Sequence, residues 1–567
     1  MFSIRNHIHI ERHGSSHGFI IVFLVLLSLL LMFKQLATDR YYSCIVADTF
    51  TYTGWAWQFK EALMEGISYP RWMPRNFWGY GGPTFILYPP LAFYITSLYS
   101  AFTDSLILAM NLTKLTSLSL STIGMYFLAR EFYSQRAALF AAVLYIVLPY
   151  HLMQYYVLGG FASTVSFMWF APLLLFTHRC LSGKGYRNLA FAGLCYGGLV
   201  VTHPINAYMF TFVLGIFVIA IAAARRRVLD VLILPSVMLT GFLVVAAYTV
   251  PLLTERNLLK LDTFITEGSG YAFSDYFILP HIVNNASGNP FWSFYYQSFV
   301  THTLLLCLMI LIISLLITVS KRGAGNGNDL VFSLFLTLSV LSIFLLFGVS
   351  SFIWEGIPYF RYIQFPVRWL HITIFTVPML FASCLDRLES GAAARYILTV
   401  AGFLLCCGVF DYRIVKGACS FTEQELLPVR TIDCSIEHMP RGVDPDLLDK
   451  AADPEASRVL LKGIGIADIV KWGSAERIVN LKAQDKLVVR FRTFNYPGWT
   501  ARLDGSPSEI RTEAGTTAIL VDAPAGEHRL ELVFQDTPAR RVGKMISLVG
   551  IIAVLSLIIA TQFRKET

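Results

Sequence analysis

One stretch near the start of the chain holds the residue types needed for transfer chemistry at a lipid surface. The run Ala47-Asp48-Thr49-Phe50-Thr51-Tyr52-Thr53-Gly54-Trp55-Ala56-Trp57-Gln58-Phe59 sets a carboxylate beside a tryptophan-rich segment. Arg71 and Arg75 follow in Pro70-Arg71-Trp72-Met73-Pro74-Arg75, then Gly79-Tyr80-Gly81-Gly82-Pro83 and Tyr88-Pro89-Pro90-Leu91. A carboxylate takes the proton from an attacking hydroxyl. Guanidinium groups hold a phosphate through charge-assisted hydrogen bonds. An aromatic amphipathic segment is expected to lie in the headgroup layer. Asp48 is the candidate base. Asp39 is its rival, and the adjacent Arg40 offers that residue an ion pair.

Further cations are candidates to stabilise a departing phosphate, because preorganised positive charge does this best. They are Arg256, Lys260, Arg361 and Arg368, with His203 at a break before Pro204. Arg368 falls at the start of an apolar run, where a charge is costly unless paired. Asp275, in Tyr271-Ala272-Phe273-Ser274-Asp275-Tyr276, is a secondary candidate for acceptor binding or a turn residue.

The elements that must position these groups are mostly membrane helices. Of 567 residues, 55% are apolar and 14% charged, against about 25% charged in soluble domains. That excludes an ordinary soluble enzyme and a disordered chain. Twelve apolar runs are long enough to be spans: 19–37, 105–129, 136–152, 161–178, 188–203, 205–224, 228–251, 300–320, 330–349, 369–385, 395–410 and 543–563. The first is too long for a cleaved signal peptide. With the N-terminus in the cytoplasm, every short inner loop carries Lys or Arg, among them Arg130, Arg136, Arg179, Arg187, Arg225-Arg226-Arg227, Arg387 and Arg395. The short outer segments at 153–160 and near His203 carry none, as the positive-inside rule requires. Both termini are then expected in the cytoplasm. Segments 38–104, 252–299, 350–368 and 411–542 then lie outside. The basic residues alternate with apolar runs, so a nucleic-acid partner is set aside.

Residues 411–541 hold 18 Lys+Arg and 20 Asp+Glu, a soluble composition. Within them, 477–534 reads as short strands with turns at Asn495-Tyr496-Pro497-Gly498, Asp504-Gly505 and Ala525-Gly526. This predicts an extracytoplasmic antiparallel sandwich before the last span, read as a binding or structural module tethered by spans. Cys419 and Cys434 are a candidate disulfide in an oxidising compartment. The early histidines His7, His9, His13 and His17 are read as a cytoplasmic tail rather than a metal site.

The early Asp, the Gly-Gly-Pro and Tyr-Pro-Pro-Leu return, Leu128-Ala129-Arg130-Glu131-Phe132-Tyr133 with Arg136-Ala137-Ala138-Leu139, and Thr202-His203-Pro204 resemble integral-membrane glycosyltransferases of the GT-C class. They are most like a bacterial branch with a β-rich C-terminal domain, some of whose members are labelled pyruvoyl-tetrahydropterin synthase-related membrane proteins. The resemblance implies a polyprenyl-phosphate-linked sugar donor, transfer on the outer face to a glycan, lipid or protein acceptor, and the catalytic position for Asp48. The run Tyr359-Phe360-Arg361-Tyr362-Ile363-Gln364-Phe365-Pro366-Val367-Arg368-Trp369 resembles the class's Phe-Pro-x-Arg segment, and Thr-His-Pro places His203 at the donor site. Several members pair the loop Asp with a second acidic residue at a divalent metal. Here Ala47 and Thr49 flank Asp48, and Glu61 and Glu65 come next, so the pattern for a required metal is incomplete; no cofactor is implied, and a divalent metal stays an alternative. Nor does the chain show the compact three-histidine site that soluble zinc synthase chemistry needs.

Two other readings stay open. A lipid or glycan transporter would carry ionisable groups inside its spans, where the sequence offers His203 and Asp230 at edges. A non-catalytic scaffold would act through the β-domain alone.

Overall fold

The computed structural model describes residues 14–43, 45–183, 185–261, 272–284, 296–320, 329–416, 420–426, 436–450, 455 and 457–563. Among the described residues eight helices are long and apolar enough to cross a membrane, and three bent helix pairs raise the number to eleven. Helix Tyr186–Thr202, 17 residues long, answers to the remaining apolar run. The chain is thus a polytopic α-helical membrane protein with a β-rich region before its last helix.

The bends have local causes. Gln135–Val147 and Pro149–Tyr156 meet at 47°, because Pro149 starts a new first turn and Leu148 before it is extended. Val228–Val244 turns 89° into Ala246–Leu258, and Asp329–Phe344 turns 103° into Gly348–Gly356. Ser105 and Ser134 cap the helices that follow them with their side-chain oxygens.

One end of the bundle gathers the basic loops. Arg179 pairs with Glu131 at 2.8 Å, Asp386 accepts from the Ser134 N–H at 2.8 Å, and Arg225 donates to the Leu181 carbonyl. The opposite end carries residues 39–105 and the β-domain.

That domain has two packed sheets. Strands β1 (Tyr41–Tyr42) and β2 (Ser420–Phe421) form a separate antiparallel pair. Then come β3 (Val459–Lys462), β4 (Gly465–Trp472), β5 (Glu476–Ala483), β6 (Leu487–Phe494), β7 (Trp499–Leu503), β8 (Ser506–Ser508), β9 (Arg511–Thr512), β10 (Ala518–Ala523) and β11 (Gly526–Phe534). The orders are β3-β6-β10-β9 and β4-β5-β11-β7-β8. Asp504 and Gly505, at φ 50° and 80°, close the β7–β8 hairpin with the positive φ values that match strand twist. Leu530 and Leu532 of β11, Val479 and Leu481 of β5, and Val489 and Phe491 of β6 fill the space between the sheets.

The aromatic segment after Asp48 is not a headgroup-layer helix, contrary to the amphipathic reading. Helix Val46–Met64 buries Trp55 and Phe59, and the following loop buries Trp72, Phe77 and Tyr80, all in one core with the sandwich. The Trp72 ring lies 5.3 Å from Trp499 and 5.2 Å from Phe534, and Tyr80 stacks on Phe494 at 5.1 Å. The Arg492 Nε donates to the Trp78 carbonyl at 2.7 Å, and the Phe494 N–H donates to that of Tyr80 at 3.0 Å. The physical reason is that protein, rather than lipid, covers these faces. Gly81 shows how tight the fit is: at φ 73°, a Cβ there would sit 2.5 Å from the Trp72 indole nitrogen. The β-domain is therefore built into the first long loop as well as held at its ends.

Its seam with the last helix holds a buried ion pair. Arg540 donates to both Glu255 oxygens, at 3.0 and 2.7 Å, with both side chains buried. Removing one partner leaves an uncompensated buried charge. Arg540→Ala is expected to cost about 3–5 kcal/mol, read as a lowered thermal unfolding midpoint. A joint Glu255→Met, Arg540→Leu replacement is expected to cost much less.

Candidate functional site

The β1–β2 pair sets the start of helix Val46–Met64, with Tyr41 opposite Phe421 and Tyr42 opposite Ser420. Asp48 lies in the first turn, where the N-terminal end of the helix dipole favours a negative charge. Burial works against this. It raises the Asp48 carboxyl from 3.8 to about 6, and the nearby Arg368 charge draws it down in part. The result is a carboxylate able to exchange a proton near neutral pH.

Tyr52 sits one turn further along the same helix face. It shares a side-chain hydrogen bond with Tyr88, and both hydroxyls feel Asp48 and Arg368. Burial pushes both phenols above the ordinary tyrosine range, so they stay protonated. Tyr88 is extended, as the residue before a proline must be. Its ring packs on Trp55 at 4.8 Å, and Trp55 in turn meets His438 at 5.1 Å. Burial holds the His438 imidazole down to about 3, hence neutral.

Arg368 comes from the other side of the site, on the turn Pro366–Trp369 that opens helix Leu370–Arg387. Its Nη1 donates to the Ile363 carbonyl at 2.7 Å and to Gln364 Oε1 at 3.1 Å. Among the described residues no carboxylate lies in salt-bridge contact with the guanidinium, which faces the Asp48, Tyr52, Tyr88 and Tyr150 side chains through its field. Gln364 adopts φ 64°, ψ −55°, an uncommon backbone state for a non-glycine residue that must be held by its surroundings.

His203 caps helix Pro204–Arg225: its Nδ1 accepts from the Asn206 N–H at 3.1 Å. In the neutral ring the hydrogen therefore sits on Nε2, which is left as a donor. His203 is within reach of the Arg368 charge. Asn206 also meets His371 Nδ1 at 3.2 Å and donates to Ser163 and Ser166.

Asp48, Tyr88, Arg368 and His203 are thus brought together. The other candidates go elsewhere. Arg71 is buried and donates to Asp536 at 3.1 Å and the Ala247 carbonyl at 3.1 Å. Arg75 lies over the Trp57 ring at 4.0 Å, 3.8 Å from Glu61. These two line cavities against the β-domain, and the cation acting on Asp48 is Arg368 instead. Arg361 is exposed on the turn Phe360–Ile363. Asp275 is exposed on Phe273–Tyr276; its carboxylate accepts from Ser274 and its carbonyl meets His281. Asp39 accepts from Ser105 at 2.8 Å, while Arg40 turns to Ser420 and Glu425 rather than to Asp39. Glu65 accepts from the Ser474 N–H at 2.8 Å. Arg256 lies on the turn Arg256–Leu258, and the Lys260 N–H donates to the Met439 carbonyl at 3.0 Å. Cys419, Cys434, His7, His9 and His13 lie outside the described residues.

Two residues escaped the sequence reading. Tyr52 is Asp48's i+4 neighbour, a signal available from helix spacing alone. Lys114 is buried within span Leu106–Arg130, its ammonium 4.0 Å from the Tyr41 ring centre and 3.4 Å from the Tyr155 carbonyl. The expectation that the spans contain almost no ionisable side chains, with His203 and Asp230 at edges, left this lysine unnamed. Among the described residues no three His, Cys, Asp or Glu side chains gather where they could hold a metal ion.

A family model described as a 6-pyruvoyl-tetrahydropterin synthase related domain, membrane protein, matches residues 85–415. The chain belongs to this family. It is similar in structure to ArnT from Cupriavidus metallidurans bound to undecaprenyl phosphate, at TM-score 0.43 and 13% identity, over 70% of this chain and 65% of that one. A mycobacterial arabinofuranosyltransferase, AftD, gives TM-score 0.41 and 13% identity over 68% of this chain and 26% of that one. The apo oligosaccharyltransferase of Archaeoglobus fulgidus gives 0.38 and 13% over 74% and 56%. The chain thus spans less than two thirds of each of these proteins. No curated protein matches the sequence.

Proposed function

We propose that this membrane protein is a glycosyltransferase of GT-C type. It moves a sugar from a polyprenyl-phosphate-linked donor to an extracytoplasmic glycan, lipid or protein acceptor, in a bacterial inner membrane. The observation that carries this reading is the facing of Asp48 and Arg368: a proton-accepting carboxylate on a loop helix, and a guanidinium at a span start whose nearest contacts are neutral oxygens. Asp48 takes the proton from the acceptor hydroxyl. The acceptor oxygen bonds to the anomeric carbon as the bond from that carbon to the phosphate oxygen breaks. The lipid phosphate leaves with that electron pair, held by Arg368 and by the Nε2–H of His203. Tyr88, oriented by Tyr52, is a neutral donor to the sugar or phosphate. A single base fits a one-step displacement with inversion.

Lys114 favours a second reading, a lipid or glycan transporter, since an ionisable group inside a span marks a pathway by default. The separating experiment follows a labelled polyprenyl-phosphate sugar in proteoliposomes. Release of polyprenyl phosphate, coupled to label on the acceptor, supports transfer. Movement of intact donor across the bilayer, without release, supports transport and refutes the transferase.

A further inference from the structure

A cavity of about 240 Å³ lies where the first long loop, the β-domain and the last helix meet. Tyr69, Arg71, Asp536 and Lys544 line it. Arg71 and Lys544 both reach the same carboxylate, Asp536, at 3.1 and 2.5 Å. Two cations on one anion leave one positive charge over. The Tyr69 ring carries the Arg71 guanidinium at 3.8 Å, and its buried hydroxyl meets no hydrogen-bond partner among the described residues. A buried donor left unmet costs free energy, so this side of the cavity is deficient in both negative charge and acceptors.

The position says which anion fits. Lys544 lies within the second turn of helix Pro538–Phe563, next to Met545, Leu548 and Val549, all of them at least 60% exposed. Those apolar side chains face lipid. The cavity therefore opens at the height where the span leaves the hydrocarbon. The sequence adds an anomaly. Arg540, Arg541 and Lys544 fall at the end of the bundle opposite the basic loops, where membrane topology asks for few cations. Glu255 accounts for Arg540. Lys544 has Asp536, which it shares with Arg71, and Arg541 is exposed, three residues and hence one turn from Lys544.

We propose that this cavity binds the phosphate of an anionic phospholipid headgroup. Lys544, Arg71 and the Tyr69 hydroxyl are the donors, Arg541 stands at the rim, and the acyl chains follow the Met545–Val549 face. The bound lipid fastens loop, β-domain and last span to one another. This site is separate from the Asp48 cluster, and the inference does not depend on the transferase reading.

The test uses the full chain, purified in detergent, exposed to equal phosphatidylglycerol and phosphatidylcholine, washed, and weighed by native mass spectrometry. Wild type is expected to retain phosphatidylglycerol preferentially. A cation near a membrane surface contributes about 1 kcal/mol, so Lys544→Ala and Arg541→Ala should each lower that preference about fivefold. Lys544→Arg should keep it. Phosphatidylglycerol should raise the thermal midpoint of the wild type but not of Lys544→Ala, which also reports whether that variant folds. Equal retention of the two lipids, or a preference that survives both alanine variants, overturns the proposal. So does complete displacement by millimolar inorganic phosphate, which would make this a site for a free ion.

Discussion

Asp48→Asn is expected to lower sugar-transfer turnover about 10²–10⁴-fold, the range a positioned general base contributes. The asparagine keeps the shape of the side chain and removes the proton acceptor. Donor binding should change little, because the groups assigned to the phosphate lie on other segments. The structure gives a second, opposite effect. Burial raises the Asp48 carboxyl to about 6 from 3.8. A carboxyl raised by folding favours the folded state most when protonated, and that contribution is lost as pH climbs from the unfolded value through the folded one. At pH 7 the charged Asp48 therefore destabilises the fold, by about 1–3 kcal/mol on the linkage relation. Asp48→Asn should be inactive and equally or more heat-stable. An inactive variant that also unfolds early would point to a structural role for Asp48.

The same residue sets an acid limb. Only ionised Asp48 accepts a proton, so kcat/KM should rise with pH through about 6 and then level, at least until another group titrates. A limb near the ordinary carboxylate value would mean that a different, solvated acid is the base. Asp48→Asn should remove the limb along with the rate.

Much of this was readable in residue order, and the rest fails for definite reasons. The spans follow from runs of apolar residues and from Lys and Arg between them, both local quantities. Helix Tyr186–Thr202 and the bent pairs blur the count, because Leu148-Pro149 and Gly348 break helices without interrupting the apolar pattern. Asp48, Tyr88, His203 and Arg368 were singled out as members of short motifs, and the fold sets them within reach of one another's charge. Arg71 and Arg75 were singled out from the first long loop in the same way, yet their partners Asp536 and Glu61 claim them. Nothing local announces an ion pair that spans 465 positions. The tryptophans misled for a related reason. A helix covered by protein on several faces has the same composition as one lying in lipid headgroups. Only the seating of Trp72 against Trp499 and Phe534 separates the two. Lys114 was visible but lost among apolar neighbours, since a single charge barely alters the hydropathy of a 25-residue helix.

Arg368→Gln is expected to lower turnover about 10²–10³-fold, the usual loss when one preorganised donor to a developing anion is removed. The effect should fall on kcat more than on KM, because the phosphate gains its full charge only as the sugar leaves. A second readout ties Arg368 to Asp48. The guanidinium field draws the Asp48 carboxyl down against its burial. Without it the carboxyl rises further, so the acid limb should move above 6 in the residual activity of Arg368→Gln. Arg368→Lys retains the charge but loses the planar guanidinium whose Nη1 donates to Ile363 and Gln364. It should therefore leave the limb near its wild-type position while recovering only part of the rate. A residue that merely packs the turn Pro366–Trp369 would depress rate and stability together and leave the limb still. An unmoved limb in Arg368→Gln, with turnover intact, would separate the two groups and remove the pairing on which the transfer mechanism stands.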